Sequence, residues 1–151
     1  MSEVMINICF LDNNTDRKIP FYATDGSAGM DLTACLKDEI VLKPLERVLV
    51  PTGIAISLPS ADYGAFIFAR SGLASKHGIT LANCVGVVDS DYRGEIKVAL
   101  VNLSNEEYIL KNGERVAQMV IMEVSKAKFN VVSELKETQR GSGGFGSTGE
   151  F

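Results

Sequence analysis

The chain lacks any surplus of positive charge: acidic residues outnumber basic ones 19 to 15. That argues against a protein that coats DNA, RNA or an anionic lipid surface. Any polyanion it takes must be small and met locally. Cysteine is sparse as well. Cys9, Cys35 and Cys84 are odd in number and lack metal-ligand spacing, which argues against a disulfide scaffold or a zinc site and predicts buried, reduced thiols. No apolar run approaches membrane-spanning length, and the N-terminus has no charged head followed by a long apolar stretch. The expectation is a cytoplasmic protein with no membrane partner. There is no internal repeat at a fixed period. The single histidine, His77, has no Ser or Cys beside it in a nucleophile motif, so a structural or solvated role is expected.

What is present is an ordinary soluble composition, 46% apolar and 23% charged over 151 residues, enough for one domain with a real core. Up to about Val132, short apolar runs are separated by Gly, Pro, Asn and Asp at intervals of roughly 8–12 residues, the rhythm of an all-β barrel or sandwich. Ile54-Ala55-Ile56-Ser57-Leu58 alternates between Gly53 and Pro59, Phe66-Ile67-Phe68 follows Gly64, and a long strand runs from Glu114 to Val124 after an Asn112-Gly113 turn. Each needs a second sheet over its apolar face.

The chain is organised around Gly86-Val87-Val88-Asp89-Ser90-Asp91-Tyr92-Arg93-Gly94-Glu95-Ile96. It reads as a hairpin, with Ile96, Val98 and Leu100 on one face of the outgoing strand. A solvated turn would account for Asp and Ser. Tyr92 and Asn83 add an aromatic face and an amide to the carboxylates, a set suited to packing a sugar, reading a base edge and holding a water. A calcium loop is excluded, because Arg93 stands where an oxygen ligand should be and Leu100 where the closing Glu belongs.

Other segments carry chemistry that could equally be structural. Asp31 ends the small-residue loop Asp25-Gly26-Ser27-Ala28-Gly29-Met30-Asp31; it caps neighbouring amides or orients a metal-bound water or an Arg. Arg70-Ser71-Gly72-Leu73-Ala74-Ser75-Lys76-His77-Gly78 reads as a strand yielding to a short helix, with Ser71 as N-cap and Gly78 as stop. Its start beside Arg70 is a phosphate seat or an ordinary cap. Gln118 is a lone amide in an apolar strand, either bonded to backbone or facing a wet site. Beyond Leu135, Arg140-Gly141-Ser142-Gly143-Gly144-Phe145-Gly146-Ser147-Thr148-Gly149 holds five of the 14 glycines. Only five residues follow its Gly141-x-Gly143-x-x-Gly146, so no helix completes a dinucleotide fingerprint or a P-loop. A disordered tail is one reading; a mobile lid of free amides around Phe145 is the other.

Ser27 to Ala34, Arg70 to Ala74, Gly86 to Gly94, Gly113 to Gln118 and Arg140 to Gly149 closely resemble, in order and spacing, the five motifs of the homotrimeric dUTPase family. One departure is Ala69, where many members carry Pro. The resemblance implies a distorted all-β jelly-roll barrel with one short helix, residues 1–135, and a flexible arm, residues 136–151. It implies a homotrimer with shared active sites, the arm closing over a neighbouring site, and hydrolysis of dUTP to dUMP and pyrophosphate with Mg2+. It also implies roles. Asp89 would act as general base on the attacking water and Gln118 would help place that water. Tyr92 would lie against the deoxyribose, while Asn83 and the backbone at Gly86 would read uracil. Arg70, Ser71 and Gly72 would hold phosphates, with Lys97 as a further cation. Arg140, Gly146, Ser147 and Thr148 would clamp the terminal phosphates, and Phe145 would stack on the base. Asp31 would meet the metal through water.

Two rivals share the scaffold. A dCTP deaminase-like enzyme should differ after the Arg-Ser and lack the terminal glycine arm. A nucleotide-sensing module without catalysis should have lost Asp89 or Tyr92, and both are present.

Overall fold

A computed structural model describes residues 3–11 and 18–144. Among these residues twelve short strands and one helix alternate with tight turns: β1 (Asn7–Phe10), β2 (Phe21–Tyr22), β3 (Met30–Thr33), β4 (Ile40–Leu42), β5 (Arg47–Pro51), β6 (Ile54–Ser57), β7 (Tyr63–Phe68), α1 (Ser71–His77), β8 (Ile79–Leu81), β9 (Gly86–Val88), β10 (Lys97–Asn102), β11 (Tyr108–Leu110) and β12 (Arg115–Glu123). All pairings are antiparallel. They make a five-stranded sheet β2-β3-β12-β7-β9, a three-stranded sheet β5-β10-β8, and the pairs β1-β6 and β4-β11. This is the expected jelly roll. Leu32, Leu42, Val50, Ile79, Leu100 and Leu110 fill its core, none more than 1% exposed. Ile96, Val98 and Leu100 are buried together as the sequence predicts.

The nine-residue strand β12 lies between β3 and β7. Its register slips between Arg115, opposite Thr33, and Ala117, opposite Leu32, so that Val116 is an extra residue. In such a bulge two successive side chains turn to the same side. Val116 and Ala117 are both buried, and the slip carries Arg115 to the face of Gln118. Gln118 stands opposite Asp31 on one neighbour and Phe68 on the other.

Several expectations need correction. The Gly86 to Ile96 stretch is no simple hairpin: β9 pairs with β7, whereas β10 pairs with β5 and β8, so this segment crosses from one sheet to the other. The run Ile54-Ala55-Ile56 does not alternate, because all three are buried under cover on both faces. The cysteines form no disulfide, as expected, but Cys9 and Cys84 are exposed rather than buried. Ser71 is the first helical residue, not the cap; the N-cap is Arg70, in extended conformation, whose carbonyl accepts from Ala74 N–H. Gly78 does stop the helix, at φ 67°, its N–H donating to the Ala74 and Leu73 carbonyls. Beyond Glu123 the chain makes no further strand among the described residues, and Phe129, Val131 and Leu135 are almost fully exposed.

His77 is exposed, its ring 5.2 Å from that of Tyr108 and tilted against it. The Tyr108 hydroxyl donates to the Glu114 carboxylate, whose other oxygen accepts from Lys111 N–H. Burial first, then the hydrogen bond and charge of Glu114, push the Tyr108 phenol far above its ordinary range. Folding therefore favours the neutral phenol, and its contribution to stability is complete below about pH 10 and lost as pH rises beyond. An alkaline absorbance titration should show Tyr108 ionising only with unfolding, and Tyr108→Phe should remove that step. A Tyr108→Phe protein with an unchanged titration curve would contradict this.

Candidate active site

Where the chain crosses between sheets it leaves an open cleft of about 320 Å³. Asn83, Gly86, Asp89, Tyr92 and Lys97 all line it, together with Glu95 and the apolar floor of Ile67, Leu81 and Val98. The sequence-predicted base and sugar residues are thus gathered in one place. Gly86 is there because a Cβ would come within 3.0 Å of the Ile67 Cβ and 3.6 Å of the Asn83 amide nitrogen; without one, β9 closes on β7 and its backbone lies open beside Asn83.

The crossing loop is tied by its own atoms. Tyr92 N–H donates to the Asp89 carbonyl, and Arg93 Nη1 donates to the carbonyls of Ser90 and Tyr92. The Tyr92 hydroxyl donates to the Glu95 carbonyl at 3.0 Å, and the ring then lies over Gly94, where a Cβ would be only 2.6 Å from Cζ. The Asp89 carboxylate is bonded to no group among the described residues. A carboxylate so placed, at the rim of a cleft with its lone pairs open, suits general-base work.

A second constellation sits on the five-stranded sheet, outside the cleft lining. Asp31, only 10% exposed, bridges two arginines: Oδ1 lies 2.8 Å from Arg70 Nε and Oδ2 3.0 Å from Arg115 Nη1. Of the alternatives open for Asp31, the structure therefore places it on Arg. Arg70 Nη1 also donates to the Arg115 carbonyl at 3.2 Å. Gln118 donates through Nε2 to the Ala69 carbonyl at 2.9 Å, and its Oε1 lies so close to Gly29 that an added Cβ there would stand only 2.8 Å from it. Two guanidinium groups share one carboxylate, which leaves a net positive seat. Ser71 and Gly72 are exposed beside it, and a Cβ on Gly72 would meet nothing within 4 Å.

Asp31→Asn keeps the shape and removes the charge that holds both guanidinium groups. With the arginines part-exposed, the expected loss is about 1–3 kcal/mol, seen as a fall of several degrees in Tm. An unchanged melt would mean that Arg70 and Arg115 are held by something else.

Arg140 lies apart from both constellations, in a local turn where Nε donates to the Gly143 carbonyl and Gly143 N–H returns to the Arg140 carbonyl. Phe145, Gly146, Ser147 and Thr148 lie outside the described residues. Sequence reasoning missed Arg115 and Glu95. Arg115 reaches the site only through the bulge, which periodicity does not reveal. Glu95 was legible, since it stands two residues before Lys97 and in an extended run the two side chains point the same way.

A family model for dUTPase matches residues 15–149. The deoxyuridine 5′-triphosphate nucleotidohydrolase of Desulfitobacterium hafniense is 52% identical over 149 residues, covering 99% of both chains. That of Finegoldia magna is 55% identical over 137 residues, 91% of this chain and 95% of its own. Among solved structures, a dUTPase variant of Staphylococcus bacteriophage 80alpha with dUpNHpp superimposes with a TM-score of 0.80 at 24% identity, covering 96% of this chain and 98% of the other. A variant dUTPase of phage phi11 of S. aureus, described with a structural Mg(II) ion, does so at 0.77 and 20%, covering 88% and 99%. At those identities the structural likeness concerns the fold alone.

Proposed function

The chain belongs to the dUTPase family and hydrolyses dUTP, and we propose that the cleft around Asp89 is where it converts dUTP to dUMP and pyrophosphate, keeping uracil out of DNA and supplying dUMP for thymidylate synthesis. The observation that carries this reading is the Asp89 carboxylate, unengaged among the described residues at the rim of a cleft that also holds Asn83, Gly86 and Tyr92.

Asp89 takes the proton of the water that attacks the α-phosphorus, and Gln118 helps to place that water. Asn83 and the backbone at Gly86 read the donor and acceptor pattern of uracil, in a fit too close for the methyl of thymine. The Tyr92 ring packs against the deoxyribose and leaves no room for a 2′-hydroxyl. Arg70, Ser71 and Gly72 take phosphate oxygens, a role supported by the positive seat around Asp31 and the open space over Gly72. Lys97, at the cleft, adds charge. Arg140 with Gly146, Ser147 and Thr148 clamps the terminal phosphates, and Phe145 covers the base.

The donor set fits Mg2+ as an ion that arrives with the nucleotide. Both Asp31 oxygens are engaged by guanidinium groups, and among the described residues no cluster of three or more His, Cys, Asp or Glu is placed to hold a metal. Asp31 would meet it through water, which suits an ion slow to give up its hydration, and the ion would supply charge that offsets the triphosphate.

The assembly we propose is a homotrimer with shared sites, residues 1–135 forming the jelly-roll domain and 136–151 the arm. Two observations support it. The phosphate seat and the nucleoside cleft are separate within one chain, and Phe129, Val131 and Leu135 stand exposed just before the arm, where a second copy would cover them. No described helix is long and apolar enough to cross a membrane, and the cytoplasm is the proposed compartment.

The test is pyrophosphate release with magnesium from dUTP, dTTP, dCTP and UTP in parallel, with EDTA as control. Release from dUTP alone, abolished by EDTA, is expected. Tight dUTP binding with no release would favour the sensing module, and ammonia from dCTP the deaminase.

A further inference from the structure

Glu95 anchors the crossing loop through both its side chain and its main chain. Its carboxylate Oε1 accepts from Gly53 N–H at 2.9 Å, in the turn between β5 and β6, and Oε2 lies 3.6 Å from Lys97 Nζ. Its main-chain carbonyl is the acceptor for the Tyr92 hydroxyl. The anchor itself is rigid. Gly53 is buried at φ 71°, a conformation that suits glycine, and its space is closed by Cys35, whose Sγ would stand 2.9 Å from an added Cβ. The same turn is stapled to the next residue by Thr52 Oγ1 donating to the Ile96 carbonyl and Ile96 N–H donating to the Ile54 carbonyl. Asp89 has no comparable tie through its side chain, and Tyr92 itself is half exposed.

These contacts form one chain of force from the buried turn to the cleft. The turn holds the Glu95 carboxylate, and the carboxylate fixes the peptide whose carbonyl holds the Tyr92 hydroxyl. We infer that Glu95 is a positioning residue that sets the selection of deoxyribose over ribose. It does so without touching the nucleotide, by fixing the Tyr92 ring over Gly94. The inference deepens the reading of Tyr92 as the sugar gate and rests on it. A ring free to swing opens space for a 2′-hydroxyl and loses its contact with the deoxyribose, so both effects lower the preference for dUTP. Removing the carboxylate also leaves the Gly53 N–H without its acceptor, which is why the conservative variants are informative. Glu95→Gln keeps an oxygen for Gly53 N–H. Glu95→Asp keeps the charge but withdraws the oxygens by one methylene.

The experiment compares kcat and KM for dUTP and UTP in the parent, Glu95→Ala, Glu95→Asp, Glu95→Gln, Lys97→Met and Tyr92→Ala, each with a thermal melt. In Glu95→Ala and Glu95→Asp the dUTP-to-UTP ratio of kcat/KM should fall by at least ~10-fold, mostly through KM, the scale of losing one hydrogen-bonded positioning group. Glu95→Gln should stay within about 3-fold of the parent. A folded Glu95→Asp with the parental ratio overturns the inference, as does a lower kcat on both nucleotides at constant ratio, which would mark a structural role only. A Lys97→Met protein that reproduces the full loss would transfer the effect to the lysine and also overturn it. Tyr92→Ala separates the two levels. If it keeps the parental ratio, the reading of Tyr92 fails; if it loses the ratio while Glu95→Asp keeps it, only the Glu95 inference fails.

Discussion

Asp89→Asn should bind dUTP with near-parental affinity and hydrolyse it at least ~100-fold more slowly, the loss expected when a general base is removed. The substitution changes the side chain by one atom at an exposed position whose carboxylate has no bonded partner among the described residues, so the loop need not move. What keeps the loop in place lies elsewhere: Tyr92 N–H on the Asp89 carbonyl, Arg93 on the carbonyls of Ser90 and Tyr92, and Tyr92 on Glu95. Stability and binding are therefore separable from turnover at this residue. Single-turnover hydrolysis beside equilibrium binding of a non-hydrolysable dUTP analogue measures both. Near-parental turnover would mean that another group takes the proton.

Deleting Arg140 to Phe151 should leave the fold and assembly intact while lowering kcat by on the order of 100-fold, as expected when groups that orient a charged substrate and exclude water are lost. The described hydrogen bonds of residues 138–143 are internal to that segment: Gly141 N–H reaches Thr138, and Arg140 and Gly143 bond each other. The body of the protein thus loses no described hydrogen bond when the arm goes. On the proposed reading the phosphates, by contrast, lose Arg140 and the glycine-rich residues beyond it, and an acidic chain has few other cations to offer. Size-exclusion chromatography and circular dichroism beside turnover would check this. Full turnover by the shortened chain would refute the lid.

Much of this was legible in the sequence because it rests on local rules. Gly78 stops the helix, the period-2 pattern buries Ile96, Val98 and Leu100, and the Asp89 to Gly94 loop carries its own turn chemistry. The partners of each strand were not legible. Nothing local tells β9 to pair with β7 rather than β10, because ladder bonds look alike from either side and the choice is made by packing across the core. Asp31 illustrates the same limit. Its loop allowed a metal-bound water or an arginine, and the contacts with Arg70 and Arg115, the latter delivered by one extra residue in β12, arise only from tertiary approach that no local pattern foretells. The exposure of Cys84 follows from its place in the turn after β8, at φ 62°, a backbone state that composition cannot reveal.

The position of β12 has a consequence for how the protein is made. Among the described strands it is the last to be synthesised, yet it lies in the interior of its sheet, between strands that begin at Met30 and Tyr63. Until Glu123 has emerged, β3 and β7 each have an open edge that a neighbouring nascent chain could pair with. Arg70 and Asp31 meanwhile wait for Arg115 and Gln118. Translation that stops before Arg115 therefore yields a chain with exposed strand edges, in which the Asp31 carboxylate still lacks one of its two guanidinium partners.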